Sequence, residues 1–211
     1  MRRIRMNPSV ARAAAATLCL AAAAFLALVA VDAHAWGERI PADDLSFRHQ
    51  ALGYSLWHGD DLAPFGVAQK ALGIDDDLLY RRALRAFRVG RPRETIFQQG
   101  ITTQRIRAQI ALEKYYAVSN DPRRKAQAQN LIGVLGFAAA TQDAGQQVTF
   151  LNDAVASFKR AMLLDPSNDD AYYNLEFALD QLKESAEQQA GSGKRVGGTG
   201  GAGERDTGHG Y

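Results

Sequence analysis

The chain has 211 residues, 46% of them apolar, enough for one domain of ordinary size with a core of its own. A net charge of +2 is too small to mark a nucleic-acid binder. The single cysteine, Cys19, excludes an internal disulfide and a multi-cysteine metal site, so stability is expected from packing alone.

Residues 1–35 read as an export leader. Arg2, Arg3, Arg5 and Arg12 precede an apolar run from Ala13 to Val31, and Ala33-His34-Ala35 gives the small-x-small pattern of a cleavage site before Trp36. The run is 19 residues long, close to the roughly 20 that cross a bilayer. Retention as a membrane anchor is therefore the competing outcome. Alanine is a weakly apolar filling for a permanent span, which favours cleavage. In either case the basic residues stay inside and the body is exported, to the periplasm or another extracytoplasmic space. Cys19 follows Leu18, where a lipoprotein signal needs a small residue. Losing the leader takes four arginines and Asp32 away and shifts the net charge from +2 to −1.

Residues 36–100 carry mixed signals. Leu45, Phe47, Leu52, Tyr54, Leu56 and Trp57 form an apolar cluster, while Gly53, Gly59, Pro64, Gly66 and Gly73 interrupt any long helix. One short helix is expected after Asp43-Asp44, with the rest as loop anchored by Trp57 and Phe65. His58-Gly59-Asp60-Asp61 has the residue types for a cation, although one histidine beside two acids reads better as solvated loop. Asp75-Asp76-Asp77 then start a helix through Gly90, with acids at its positive end and Arg81, Arg82, Arg85 and Arg88 further along. Leu79, Ala83 and Phe87 form its seam. The arginines are expected to make a solvated face, the competing reading being a surface for anionic lipid or an acidic partner.

Residues 101–189 read as helix throughout. After the break at Gly90, Pro92 and Gly100, one helix is expected from Thr102 or Thr103 to about Ser119, with Ile106, Ile110 and Ala117 on one side. Another follows Asn120-Asp121-Pro122 and runs to Ala140 with Ala128, Leu131, Ile132, Leu135 and Phe137. Thr141–Thr149 is a polar turn. In the next helix Ala154, Phe158 and Ala161 stack small, large and small on one face, and Asp165-Pro166-Ser167-Asn168 ends it. Asn168 or Asp169 caps a last helix, which is expected to bury Tyr172, Leu175, Leu179 and Leu182. Glu176, Asp180, Lys183, Glu184 and Glu187 keep its outer face polar.

This pattern resembles the tetratricopeptide repeat, a helix-turn-helix unit of about 34 residues. Ala154, Phe158, Ala161 and Pro166 match the second helix of a repeat and its closing proline, and Tyr172, Asn174 and Leu175 match the opening of the next. Glu176 stands where the family usually has a small residue. A shift of 44 residues lays Pro122 on Pro166, Ala117 on Ala161, Asn130 on Asn174, Leu131 on Leu175 and Leu135 on Leu179, with Lys114 in the place of Phe158. The resemblance implies an all-α fold, a short stack of repeat-like hairpins over 101–189 closed by a capping helix. The final third of the chain is also similar to the small exported repeat proteins of the aerotolerance type, encoded near MoxR ATPases and von Willebrand A-domain membrane proteins. That likeness implies a part in a membrane-associated complex.

Residues 190–211 are glycine-rich with almost no large apolar side chain, so they are expected to form a disordered tail ending at Tyr211. No catalytic, cofactor or metal constellation has a recognisable spacing: His49, His58 and His209 do not pair, no serine has a G-x-S-x-G setting, and Gly197–Gly201 lacks a phosphate-loop lysine. The expected activity is non-enzymatic. Asn130, Tyr173 and Asn174 are the candidate contacts to a partner protein, with neither nucleic acid nor a small-molecule substrate expected. Two competing readings stand beside this one. The asparagines bridge neighbouring helices, or an envelope enzyme or ligand-binding site lies within residues 36–73, around Trp57, His58 and Asp60.

Overall fold

The computed structural model describes residues 8–49, 53–91 and 100–195, which form helices, turns and loops with no strand among them. Leu52, Pro92, the arginines at 2, 3 and 5, and the tail from 196 on, with Gly197–Gly201, His209 and Tyr211, lie outside the described residues. The helices are α1 (Pro8–Arg48), α2 (Val67–Leu72), α3 (Asp75–Gly90), α4 (Ile101–Val118), α5 (Pro122–Ala140), α6 (Gln147–Leu164) and α7 (Asp169–Arg195), with a 3-10 turn at Pro64–Gly66. The fold is helical-repeat-like. The chain divides into two compact units, residues 1–119 and 120–211.

In the first unit α1 is continuous where a separate short helix after Asp43-Asp44 was expected. It passes through Ala33-His34-Ala35 and across Pro41, whose missing N–H leaves the Gly37 carbonyl without its helical donor. The apolar part is exposed on its sides and long enough to cross a membrane. Beyond it, Trp36, Leu56, Trp57 and Leu78 form a buried cluster with Ile40, Phe47 and Ile74 packed against it. Asp43 and Asp44 lie inside α1 and do not start a helix. Their carboxylates take the Trp57 backbone N–H at 2.6 Å and its indole N–H at 2.9 Å, and Phe47 meets the indole edge-on at 5.1 Å. Trp57 is held at φ 56, the left-handed region that a ring-bearing residue enters only when its surroundings over-determine it.

The arginines of α3 correct the expectation of a solvated face. Arg81 pairs with Asp44 at 2.9 Å and with Asp77, Arg82 donates to the Trp57 carbonyl, Arg85 to that of Gly53 and Arg88 to that of Phe47. Arg85 also lies over the Tyr54 ring and Arg88 over Phe47. Carbonyls at the end of α1 and in the turn through Trp57, with the Asp44 and Asp77 carboxylates, thus take up the row of cations. Burial pushes the Arg82 and Arg85 guanidiniums below their ordinary range, while the Asp44 bond raises that of Arg81.

Helix α4 packs on α3, which the sequence had placed outside the repeat region. Its buried stripe is Arg105, Ala108, Leu112 and Tyr115, while Ile106, Ile110, Lys114 and Ala117 face water. Arg105 reaches the stripe because its aliphatic stem packs inward and its guanidinium meets the Gly90 carbonyl at 3.4 Å. The repeat register is therefore 46 residues in this helix: Ala108, Leu112 and Tyr115 occupy the places of Ala154, Phe158 and Ala161. The closing prolines are offset by 44, and the linker Ser119-Asn120 absorbs the difference. Ser119 donates its hydroxyl to the Tyr115 oxygen at 2.9 Å, and that phenol donates to Asp76 of α3 at 3.2 Å.

The second unit is the α5–α6 hairpin with α7 packed on α6 and touching α5. Asp121 caps α5 through the N–H groups of Arg123 and Arg124, and Asn168 caps α7 through that of Ala171. Ala154, Val155, Phe158 and Ala178 form the core, with Val134, Phe137 and Leu175 against it. The Phe158 ring lies over Gly133 so closely that a methyl there would collide with it. Helix α7 departs from expectation in its face: Ala171, Ala178 and Ser185 are buried, whereas Tyr172 is 46% and Leu179 42% exposed. Residues at a seven-residue interval that are small let α7 lie close to α6, and the larger side chains turn outward. The helix also continues through Arg195, past the start of the segment assigned to the tail.

Candidate partner-binding site

The three residues singled out for partner contact lie in the second unit, on α5 and α7. Asn130 is buried, and its side-chain oxygen accepts from the Asn174 amide at 2.9 Å. The 44-residue echo thus has a physical basis at this point, because the two equivalent asparagines are bonded to each other. An amide has both donor and acceptor, which suits it to bridge helices that have spent their backbone groups internally. Tyr173 is 71% exposed on α7 and lies apart from that bridge.

A cleft of about 390 Å³ opens beside Asn130, where the first turns of α5 and α7 meet the Asp165–Asn168 loop. Arg123, Arg124, Gln127, Asp165 and Asp169 line it. The hydroxyl and backbone N–H of Ser167 hold the Asp165 carboxyl below its usual range, and Arg123 adds to this. Both helix N-termini are already used, α5 by the Asp121 carboxylate and α7 by Asn168 with Asp169 and Asp170 in its first turn. With both signs of charge present, the cleft is matched to a polar polypeptide surface better than to a lone anion.

The sequence reading missed the large apolar side chains that flank the polar outer face of α7. Tyr172, Tyr173, Phe177 and Leu179 are all substantially exposed, and Phe177 is tied from one side by the Phe137 ring at 5.2 Å. The signal was available in Ala171 and Ala178, since small residues seven apart mark the buried stripe as well as large ones do.

The region around Trp57, His58 and Asp60 is neither an open loop nor a polar pocket built on Trp57. That side chain is core, its backbone N–H, indole N–H and carbonyl all bonded within the fold, while His58 and Asp60 are exposed. Among the described residues no group of three His, Cys, Asp or Glu side chains comes together to hold a metal ion. No protein-family model, curated protein or solved structure matches the chain.

Proposed function

We propose that the chain is a non-enzymatic helical adaptor of the tetratricopeptide type, exported and attached to the outer side of the cytoplasmic membrane. It holds another protein, itself membrane-associated, through the second unit. The observation that carries this reading is that Tyr172 and Leu179 on one flank of α7, and Tyr173 and Phe177 on the other, stay exposed on the last helix among the described residues, with a mixed-charge cleft at the same helix's start. In a repeat array the following helix would cover part of this surface; among the described residues no element does. Tyrosines suit such a surface, because each gives a large apolar area with one polar end and little rotamer entropy to lose. The small-large-small seam of α6 and the paired asparagines support membership of the repeat family, and the aerotolerance group supplies the best model of the complex.

Affinity capture from detergent-solubilised membranes tests the reading. The wild-type chain is expected to retain a partner that the double variant Tyr172→Ala, Tyr173→Ala loses, with its helical circular dichroism unchanged. Equal recovery of every bound protein by both chains would overturn it.

A further inference from the structure

The loop that follows Trp57 retraces α1 toward its apolar end. Trp57 is bonded to Asp43 and Asp44, the His58 carbonyl accepts from Arg39 at 2.6 Å, and the Trp36 indole donates to Asp61 at 2.7 Å. Next, the backbone N–H groups of Leu62 and Ala63 donate to the two oxygens of the buried Asp32 carboxylate, at 2.9 and 2.7 Å. The loop numbers rise as the α1 numbers fall, so the turn Pro64–Gly66 comes level with the end of the apolar run at Val31. There the surface is apolar on both elements. Leu62 is 61% and Phe65 87% exposed, Val31 and Leu28 of α1 are exposed as well, and Phe65 has φ 64.

From this juxtaposition we infer that the Leu62–Phe65 turn is a membrane foot: it rests in the outer interface of the same bilayer that α1 crosses. The inference depends on α1 being the retained anchor of the proposed function. A run of 19 residues rising ~1.5 Å each matches the hydrocarbon thickness. Asp32 then falls at its outer boundary, with the buried Trp36 one turn above. A bare carboxylate at that boundary is costly; two backbone N–H groups satisfy this one, and the same bonds pin the foot to the lipid surface. Scission before Trp36 would separate Asp32 from the loop it holds, so the foot and a retained leader belong together.

The test uses the full chain in phosphatidylcholine–phosphatidylglycerol vesicles. An environment-sensitive nitrobenzoxadiazole dye is placed at Phe65→Cys in a Cys19→Ala background, and at Leu163→Cys for comparison. Emission at position 65 is expected to shift to the blue and to lose most of its intensity to lipids with a nitroxide near the headgroup. At 163 neither change is expected. Asp32→Ala is expected to weaken the quenching at 65. In parallel, Cys19 of the wild-type chain, in mid-run, reports whether α1 is inserted, by its protection from a water-soluble maleimide. A reactive Cys19 would overturn the anchor reading and the foot together. A protected Cys19 with position 65 as wet as position 163 would overturn the foot alone.

Discussion

At the scale of single residues, two contacts decide how tightly the second unit is specified. Gly133 and Gly136 sit on the same helix, yet a methyl group at 133 runs into the Phe158 ring, while one at 136 makes an ordinary contact at 3.6 Å with Ala154. Gly133→Ala is therefore expected to destabilise the unit by about 1–3 kcal/mol despite a gain in helix propensity. Gly136→Ala should be neutral or stabilising by up to about 1 kcal/mol. Urea unfolding followed by circular dichroism separates them, and equal effects would contradict the close approach. Asn174→Ala removes the partner of the buried Asn130 and should cost about 1–3 kcal/mol. In a double-mutant cycle with Asn130→Ala, the two losses should fall well short of adding; strict additivity would mean that the bridge contributes nothing. Phe158 between two alanines was legible in the sequence because its spacing is local. The glycine beneath it was not, because only packing brings α5 over α6.

At the scale of elements, α3 shows what periodicity can and cannot say. Its boundaries and leading acids were readable from residues 75–90, but apart from the Arg81–Asp77 pair its arginines have their partners at residues 44, 47, 53 and 57, and no pattern within the helix points there. In α4 the register was misread because it was anchored on the prolines; Ala108, Leu112 and Tyr115 carry the stripe, and a buried arginine disguises its start. The Arg81 bond lowers the Asp44 pKa, which gives the first unit a pH signature. With the folded value below the unfolded one, the ion pair stabilises fully above about pH 4 and is lost as pH falls through the lowered value. Both side chains are partly exposed, so Asp44→Asn should cost about 1 kcal/mol or less at neutral pH and nothing at low pH. Both tryptophans, Trp36 and Trp57, lie in this unit's core, so their fluorescence follows its unfolding selectively. A destabilisation independent of pH would contradict the assignment.

At the scale of the molecule, a long apolar helix and two helical units divide the work proposed for the chain. The first unit is organised on α1 itself: Asp32, Trp36, Asp43 and Asp44 all bond to the loop or to α3. The second has a tightly packed α5–α6 hairpin and an open outer helix. The all-helical class was legible from residues 101–189, where spacing and turn residues agree. The construction of residues 36–90 was not, because it depends on contacts between the leader and a loop that composition alone assigns to separate parts of the chain. The central claim is that the exposed face of α7 meets another protein. A photo-crosslinking amino acid placed at Tyr173, and at Lys159 of α6 for comparison, tests it in intact cells. The expected result is one discrete crosslinked band from position 173 that is absent from position 159; no band from 173, or the same bands from both, would contradict the claim.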